Sequence, residues 1–248
     1  MFPIRDHNPS ARTAYVTYLL VAVNTGVFLA MLPLMGDERA LFDIYWQFGM
    51  VPAKVIQGQG LTGIVTSIFL HGSFMHLAGN MLFLWIFGDN LEDKLGHRGF
   101  LLFYLVAGAG ATLLQMWSAP TSPVPLIGAS GAIAGVMGGY LLLFPRARVD
   151  VIVIFIVFYR VFALPAWMML GIWFGFQIIN GLSAPIGEGG VAYWAHAGGF
   201  VVGLAWVYPV WRRLGGRDFW ARTHGQPDHP PAQYPLSRSS VPKVRRRR

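Results

Sequence analysis

The run GASGAIAGVMGGYLLLF, residues 128–144, decides how the rest of the chain is read. It holds no charged residue, and Gly131, Gly135 and Gly139 recur at every fourth position. That spacing puts the three glycines on one helix face, where a second backbone can come close. An uncharged run of this length lies within the roughly 17–25 residues that cross a bilayer. The segment therefore reads as a helix packed among others in lipid, with Ser130 at its start.

Outward from this run the same texture repeats. Apolar stretches also occur near 14–34, 74–91, 100–117, 162–182 and 191–211. The chain is 54% hydrophobic and 12% charged, against about 25% charged in soluble domains. Lipid must be its main solvent. The expected fold class is all-α: a polytopic transmembrane helical bundle of six spans over residues 14–211. The first span is too long for a signal-peptide core and is read as a retained anchor. The run Val151–Val157 is read as an interfacial segment, with the fifth span starting near Phe162. The loop 35–73 is long and apolar over Leu61–Leu70, so it is expected to dip into the membrane.

The net charge of +8 does not point to nucleic acid, because the basic residues flank the apolar runs and crowd into the C-terminal tail. With residues 1–13 inside, Arg5, Arg12, Lys94, Arg98, Arg146, Arg148 and the tail all face the cytoplasm. Both termini are then cytoplasmic by the positive-inside rule. The Pro-rich, Arg-rich stretch 212–248 is expected to be a disordered tail attracted to anionic lipid. A bacterial inner membrane is the expected setting, since no transit peptide is apparent.

Polar residues inside spans are costly and default to function. Three clusters stand out: His71 to Asn80 with His76 between them, Gly128-Ala129-Ser130-Gly131, and Ala195-His196-Ala197-Gly198-Gly199. His76, Ser130 and His196 each precede a charged residue by the same interval, at Glu92, Arg146 and Arg212. That interval is about 24 Å of helix in a core about 30 Å thick. The three clusters thus share one depth near the outer edge. Ala195, Gly199 and Gly203 form a second small-residue stripe, which would bring the sixth span against the fourth and His196 to Ser130.

A serine hydroxyl beside a histidine base is the arrangement for nucleophilic catalysis. His76 and Asn80, one turn apart, or the Ser130 N–H could donate to an oxyanion. No carboxylate lies at this depth, so the pattern is a dyad. Other chemistries lack their residues. There is no cysteine and no His-Glu-x-x-His, so no metal or other cofactor is expected. Only Asp89 could sit in a span, and the lysines lie outside them.

At these residues the chain resembles the rhomboid family of intramembrane serine proteases. The resemblance rests on Phe69 to Asn80, Gly88 to Asp93, Gly128 to Gly131 and Ala195 to Gly199, in that order, and covers about 14–211. It implies Ser130 as nucleophile, His196 as its base, and His76, Asn80 and Gly128 at the oxyanion and substrate-binding site. Two positions depart from the common pattern. Ala134 stands where many members stack a tyrosine on the histidine, and Gln47 follows Trp46 where many have arginine.

The expected activity is endopeptidase cleavage of single-span membrane proteins near the outer end of the span. Access would be lateral, past the second and fifth spans, with the loop 183–190 as a cap. The alternative is a non-catalytic binder of membrane clients on the same fold, which the intact Ser130/His196 pair disfavours. A transporter would need polar residues through the whole bilayer, and the inner halves of spans 2, 4 and 6 lack them.

Overall fold

The computed structural model describes residues 2–8, 10–155, 158–183 and 190–227. In chain order its helices are α1 (Tyr15–Met31), α2 (Glu38–Phe48), α3 (Pro52–Val55), α4 (Gly63–Thr66), α5 (Phe74–Leu95), α6 (His97–Ser118), α7 (Ser130–Leu143), α8 (Ala166–Ser183), α9 (Tyr193–Arg213) and α10 (Arg217–Thr223). The body is thus mostly helical, as expected. Among the described residues, Tyr15–Leu34 and His97–Ser118 are long and apolar enough to cross a membrane by themselves, and Ser130–Leu143 is a shorter apolar helix. The other three long helices carry more polar residues, among them Asn80, Gln177 and His196.

The shortness of α7 has a packing explanation. Every residue from Gly131 to Tyr140 is buried, because α5, α6 and α9 surround the helix. The glycine stripes act as read from the sequence. A Cβ on Gly199 would overlap the Gly131 carbonyl, and one on Gly203 the Gly135 carbonyl. Gly131 lies near Ala195, Gly135 near Gly199 and Gly139 near Val207, so α7 and α9 run parallel. α5 runs the same way: His76 lies beside Gly128, and Phe87 meets Tyr140 with ring centroids 5.0 Å apart. The stripe also serves a third helix, since Cβ atoms on Gly131 and Gly135 would overlap Ala111 and Ala107 of α6.

Outward faces are apolar. Leu19, Leu29, Trp85, Leu102, Trp117 and Phe176 are all exposed. Large exposed apolar area of this kind marks a surface that another phase covers.

Two sequence expectations need correction. The stretch after α7 is not a lone interfacial segment leading into a span at Phe162. It is a hairpin, β2 (Arg148–Phe155) with β3 (Phe158–Pro165), and α8 begins only at Ala166. β1 (Phe2–Asp6) adds antiparallel to β2, with Phe2 opposite Ile152 and Asp6 opposite Val149, giving the order β1-β2-β3. The N-terminal segment is therefore part of a sheet. The second correction concerns the tail: its described part is ordered. Phe219 of α10 is buried, and the Trp220 indole N–H donates to the Leu142 carbonyl at 2.9 Å. Residues 228–248 lie outside the described residues.

Candidate active site

Ser130 opens α7, and His196 lies in the first turn of α9. The parallel packing of the two helices brings their side chains together. The Ser130 hydroxyl lies 2.8 Å from His196 Nε2, within the range a general base needs to take a proton. Both residues are partly exposed.

The third cluster arrives on α5, which Ser73 caps by accepting the His76 N–H at 3.1 Å. Gly128, two residues before Ser130, has φ +123°, a conformation that favours glycine. A Cβ there would meet the His76 ring at 2.7 Å and lie 3.8 Å from Asn80 Nδ2. Gly128 therefore opens the space that His76 and Asn80 face. Its own N–H is already used, donating to the Ser67 carbonyl at 2.9 Å. Asn80 is buried, and its Nδ2 is a donor with no partner. An unpaired buried donor costs about 1–3 kcal/mol. His76 accepts the Gly72 N–H on Nδ1 over a long 3.5 Å, which leaves Nε2, the atom nearest Gly128, to carry the ring proton in the neutral tautomer. The Ser130 N–H sits in the first turn of α7, where helix amides have no partner within the helix.

His71, the first residue of the same cluster, makes no hydrogen bond to the Ser130/His196 pair among the described residues. It is fully buried, with neither ring nitrogen paired, and packs edge-on against His76 with centroids 5.0 Å apart.

Sequence reasoning missed two residues of α8. Gln177 Oε1 lies 2.8 Å from His196 Nδ1, and the Trp173 ring lies 5.7 Å from the imidazole, centroid to centroid. Trp173 thus covers the ring that Ala134 cannot reach. The signal was available, since Gln177 is an uncompensated polar residue within an apolar run.

The first loop braces the segment before Ser130. Met50 and Leu126 exchange backbone hydrogen bonds of 3.0 and 2.8 Å, and the Ala53 N–H donates to the Ser122 carbonyl at 3.1 Å. Lys54 donates to the Trp46 carbonyl at 2.8 Å and lies 4.9 Å over its ring, beside the position where Gln47 replaces the expected arginine. The loop 183–190, read as a cap, falls almost wholly outside the described residues. Among those described, no group of three or more His, Cys, Asp or Glu is placed to hold a metal ion.

Comparison with known proteins gives the family. Rhomboid protein 1, mitochondrial, of Saccharomyces cerevisiae is 31% identical over 192 residues, which are 71% of this chain and 52% of that protein. Rhomboid protease GlpG of Salmonella paratyphi A is 26% identical over 201 residues, 79% of this chain and 63% of that protein. Rhomboid protease GluP of Bacillus subtilis is 34% identical over 125 residues, 50% of this chain and 24% of that protein. The chain thus spans less than two thirds of each relative. They include mitochondrial as well as bacterial proteins, so they place the chain in a membrane without choosing which. The rhomboid domain family matches residues 58–213, which hold Ser130, His196, His76 and Asn80. The chain belongs to the rhomboid family of integral membrane proteins.

Proposed function

We propose that the chain is an intramembrane serine endopeptidase that cuts single-span membrane proteins near the outer end of the span. The observation that carries this reading is the 2.8 Å contact between Ser130 Oγ and His196 Nε2. His196 takes the hydroxyl proton as Oγ attacks the scissile carbonyl, then gives it to the leaving amine. The oxyanion is received by the unpaired Asn80 amide, by His76 Nε2–H and by the Ser130 N–H, donors fixed before the charge develops. Gly128 keeps that space open.

The proposed topology has six spans, α1 and α5 to α9, with both termini cytoplasmic. The parallel course of α5, α7 and α9 supports a single depth for the three clusters. A helical substrate satisfies its own backbone, and exposing those groups to lipid costs several kcal/mol each. Substrates therefore carry Gly, Pro or polar residues near the outer end of their span, and enter laterally past α5 and α8.

A fluorophosphonate probe on the detergent-purified protein tests this directly. Wild type is expected to label covalently and Ser130→Ala not at all. Equal labelling of the two removes Ser130 as the nucleophile and the protease reading with it.

A further inference from the structure

Within that protease reading, we infer that Gln177 is a positioning residue that sets the tautomer of His196. Three contacts on consecutive atoms carry the argument. Gln177 Nε2 donates to the Trp173 carbonyl at 3.2 Å, Gln177 Oε1 lies 2.8 Å from His196 Nδ1, and His196 Nε2 lies 2.8 Å from Ser130 Oγ. The Trp173 carbonyl is an acceptor only, so it holds the NH₂ side of the Gln177 amide. A flipped amide would set two carbonyl oxygens against each other. Oε1 must then face the imidazole, and a carbonyl oxygen can only accept. Nδ1 therefore carries the proton of the neutral ring. Nε2 is left bare, which is the state a base must be in to accept the Ser130 proton.

The environment makes this a rigid arrangement. Gln177 is buried, with 8% of its surface exposed. Trp173 and Gln177 stand one turn apart on α8, so one helix face supplies the ring cover, the hydrogen-bond acceptor and the carbonyl that orients the acceptor. Among the described residues His196 has no carboxylate partner, and the neutral carboxamide takes the orienting role that an acidic residue plays in a triad. It can hold the tautomer but cannot neutralise the imidazolium that forms during reaction.

The test compares wild type, Ser130→Ala, Gln177→Met and Gln177→Glu in detergent, by fluorophosphonate labelling and by cleavage of a reporter span across pH. Methionine keeps the length and cannot hold the Nδ1 proton. Gln177→Met is expected to lower the labelling rate and kcat at least about tenfold, the rate equivalent of one ordinary hydrogen bond, with KM for the reporter unchanged. Gln177→Glu keeps the acceptor. It is expected to stay within about threefold of wild type, by less than half the free energy of that bond, and to move the acid limb of its pH–rate profile to higher pH, because a carboxylate favours the imidazolium. Should Gln177→Met not fold, Gln177→Asn, one methylene short, is expected to show the same loss. Ser130-dependent labelling that is equal in wild type and Gln177→Met overturns this inference alone. So does a Gln177→Glu protein as slow as Gln177→Met with an unmoved pH profile. Labelling of wild type that does not depend on Ser130 overturns the protease reading and this inference together.

Discussion

Ser130 and Tyr140 stand at opposite ends of α7, and the polar groups around them are arranged to different purposes. Around Tyr140 most donors meet acceptors, although the Asn90 Oδ1 is buried without a partner. The Asn8 amide donates to the Tyr140 hydroxyl at 2.9 Å, Tyr140 donates to Asp6 at 3.2 Å, and the Asn90 amide donates to the Asn8 carbonyl at 2.8 Å. Nearby, buried Glu92 accepts the Val16 and Thr17 N–H groups at 2.9 and 2.8 Å, and so caps α1 from a distant part of the chain. Around Ser130, Asn80 Nδ2 and both ring nitrogens of His71 are buried without partners. The paired groups hold helices together, while the unpaired Asn80 side-chain N–H is the donor that the proposed reaction would use.

This contrast can be broken by mutation, most forcefully at the Ser130 end. Ser130→Ala and His196→Ala are each expected to abolish cleavage, because losing either member of a working pair costs nearly as much as losing both. Thermal unfolding should stay within a few degrees of wild type, a shift of the size expected for less than about 1 kcal/mol. A large fall in Tm would mean that the dyad also holds the fold.

Asn80→Ala comes next. Losing one oxyanion donor lowers the rate by about 10²–10³ at most, and the remaining donors soften that. Stability should hold or rise, because the substitution removes a buried N–H donor, Asn80 Nδ2, that has no partner. A destabilised but fully active variant would assign Asn80 to the scaffold.

Glu92→Ala should do the reverse. It leaves two buried N–H groups without an acceptor, at about 1–3 kcal/mol each. The expected result is a clear drop in Tm with kcat of the folded fraction close to wild type. Unchanged stability with lost activity would contradict a capping role.

The smallest effect is with pH. The His7 hydrogen bond, followed by Arg5, holds the Asp150 carboxyl below its ordinary value of 3.8. A depressed carboxyl contributes stability above that value, and the contribution is lost as pH falls below it. Asp6 works in the other direction, since burial raises its carboxyl above the ordinary range. Asp150→Asn isolates the first effect: its Tm deficit against wild type should shrink as pH is lowered from 6 towards about 3. Arg5 and His7 are well exposed, so the deficit will be modest. A constant deficit across that range would rule out the charge as its source.

What the sequence disclosed follows from how local each feature is. Ser130, His196, His76 and Asn80 were legible because each is polar within an apolar run, and the glycine stripes named the helices that touch. Gln177 escaped because the shared depth was counted along spans running in one direction, and α8 runs the other way. β1 escaped because Phe2 pairs with Ile152, a contact with no local pattern, and β3 escaped because its apolar residues were read as the start of the next span. Glu92 was legible as a depth marker but not as a cap, since its partners Val16 and Thr17 lie on another helix. α10 was hidden within a polar tail whose Phe219 and Trp220 gave the only hint of packing.

The backbone contact between α7 and α9 fixes a tolerance. Gly131 follows Ser130 directly and touches Gly199, one turn beyond His196. Side chains can change rotamer, but a carbonyl seated against an α-carbon cannot. The gap between Ser130 and His196 is thus referenced to two main chains and has no adjustable part between them. By contrast, Gly171 and Gly175 of α8 face open space. Substitutions at those two positions will therefore be tolerated sterically, while any side chain at Gly199 or Gly203 would force α7 and α9 apart and widen the gap between Ser130 and His196.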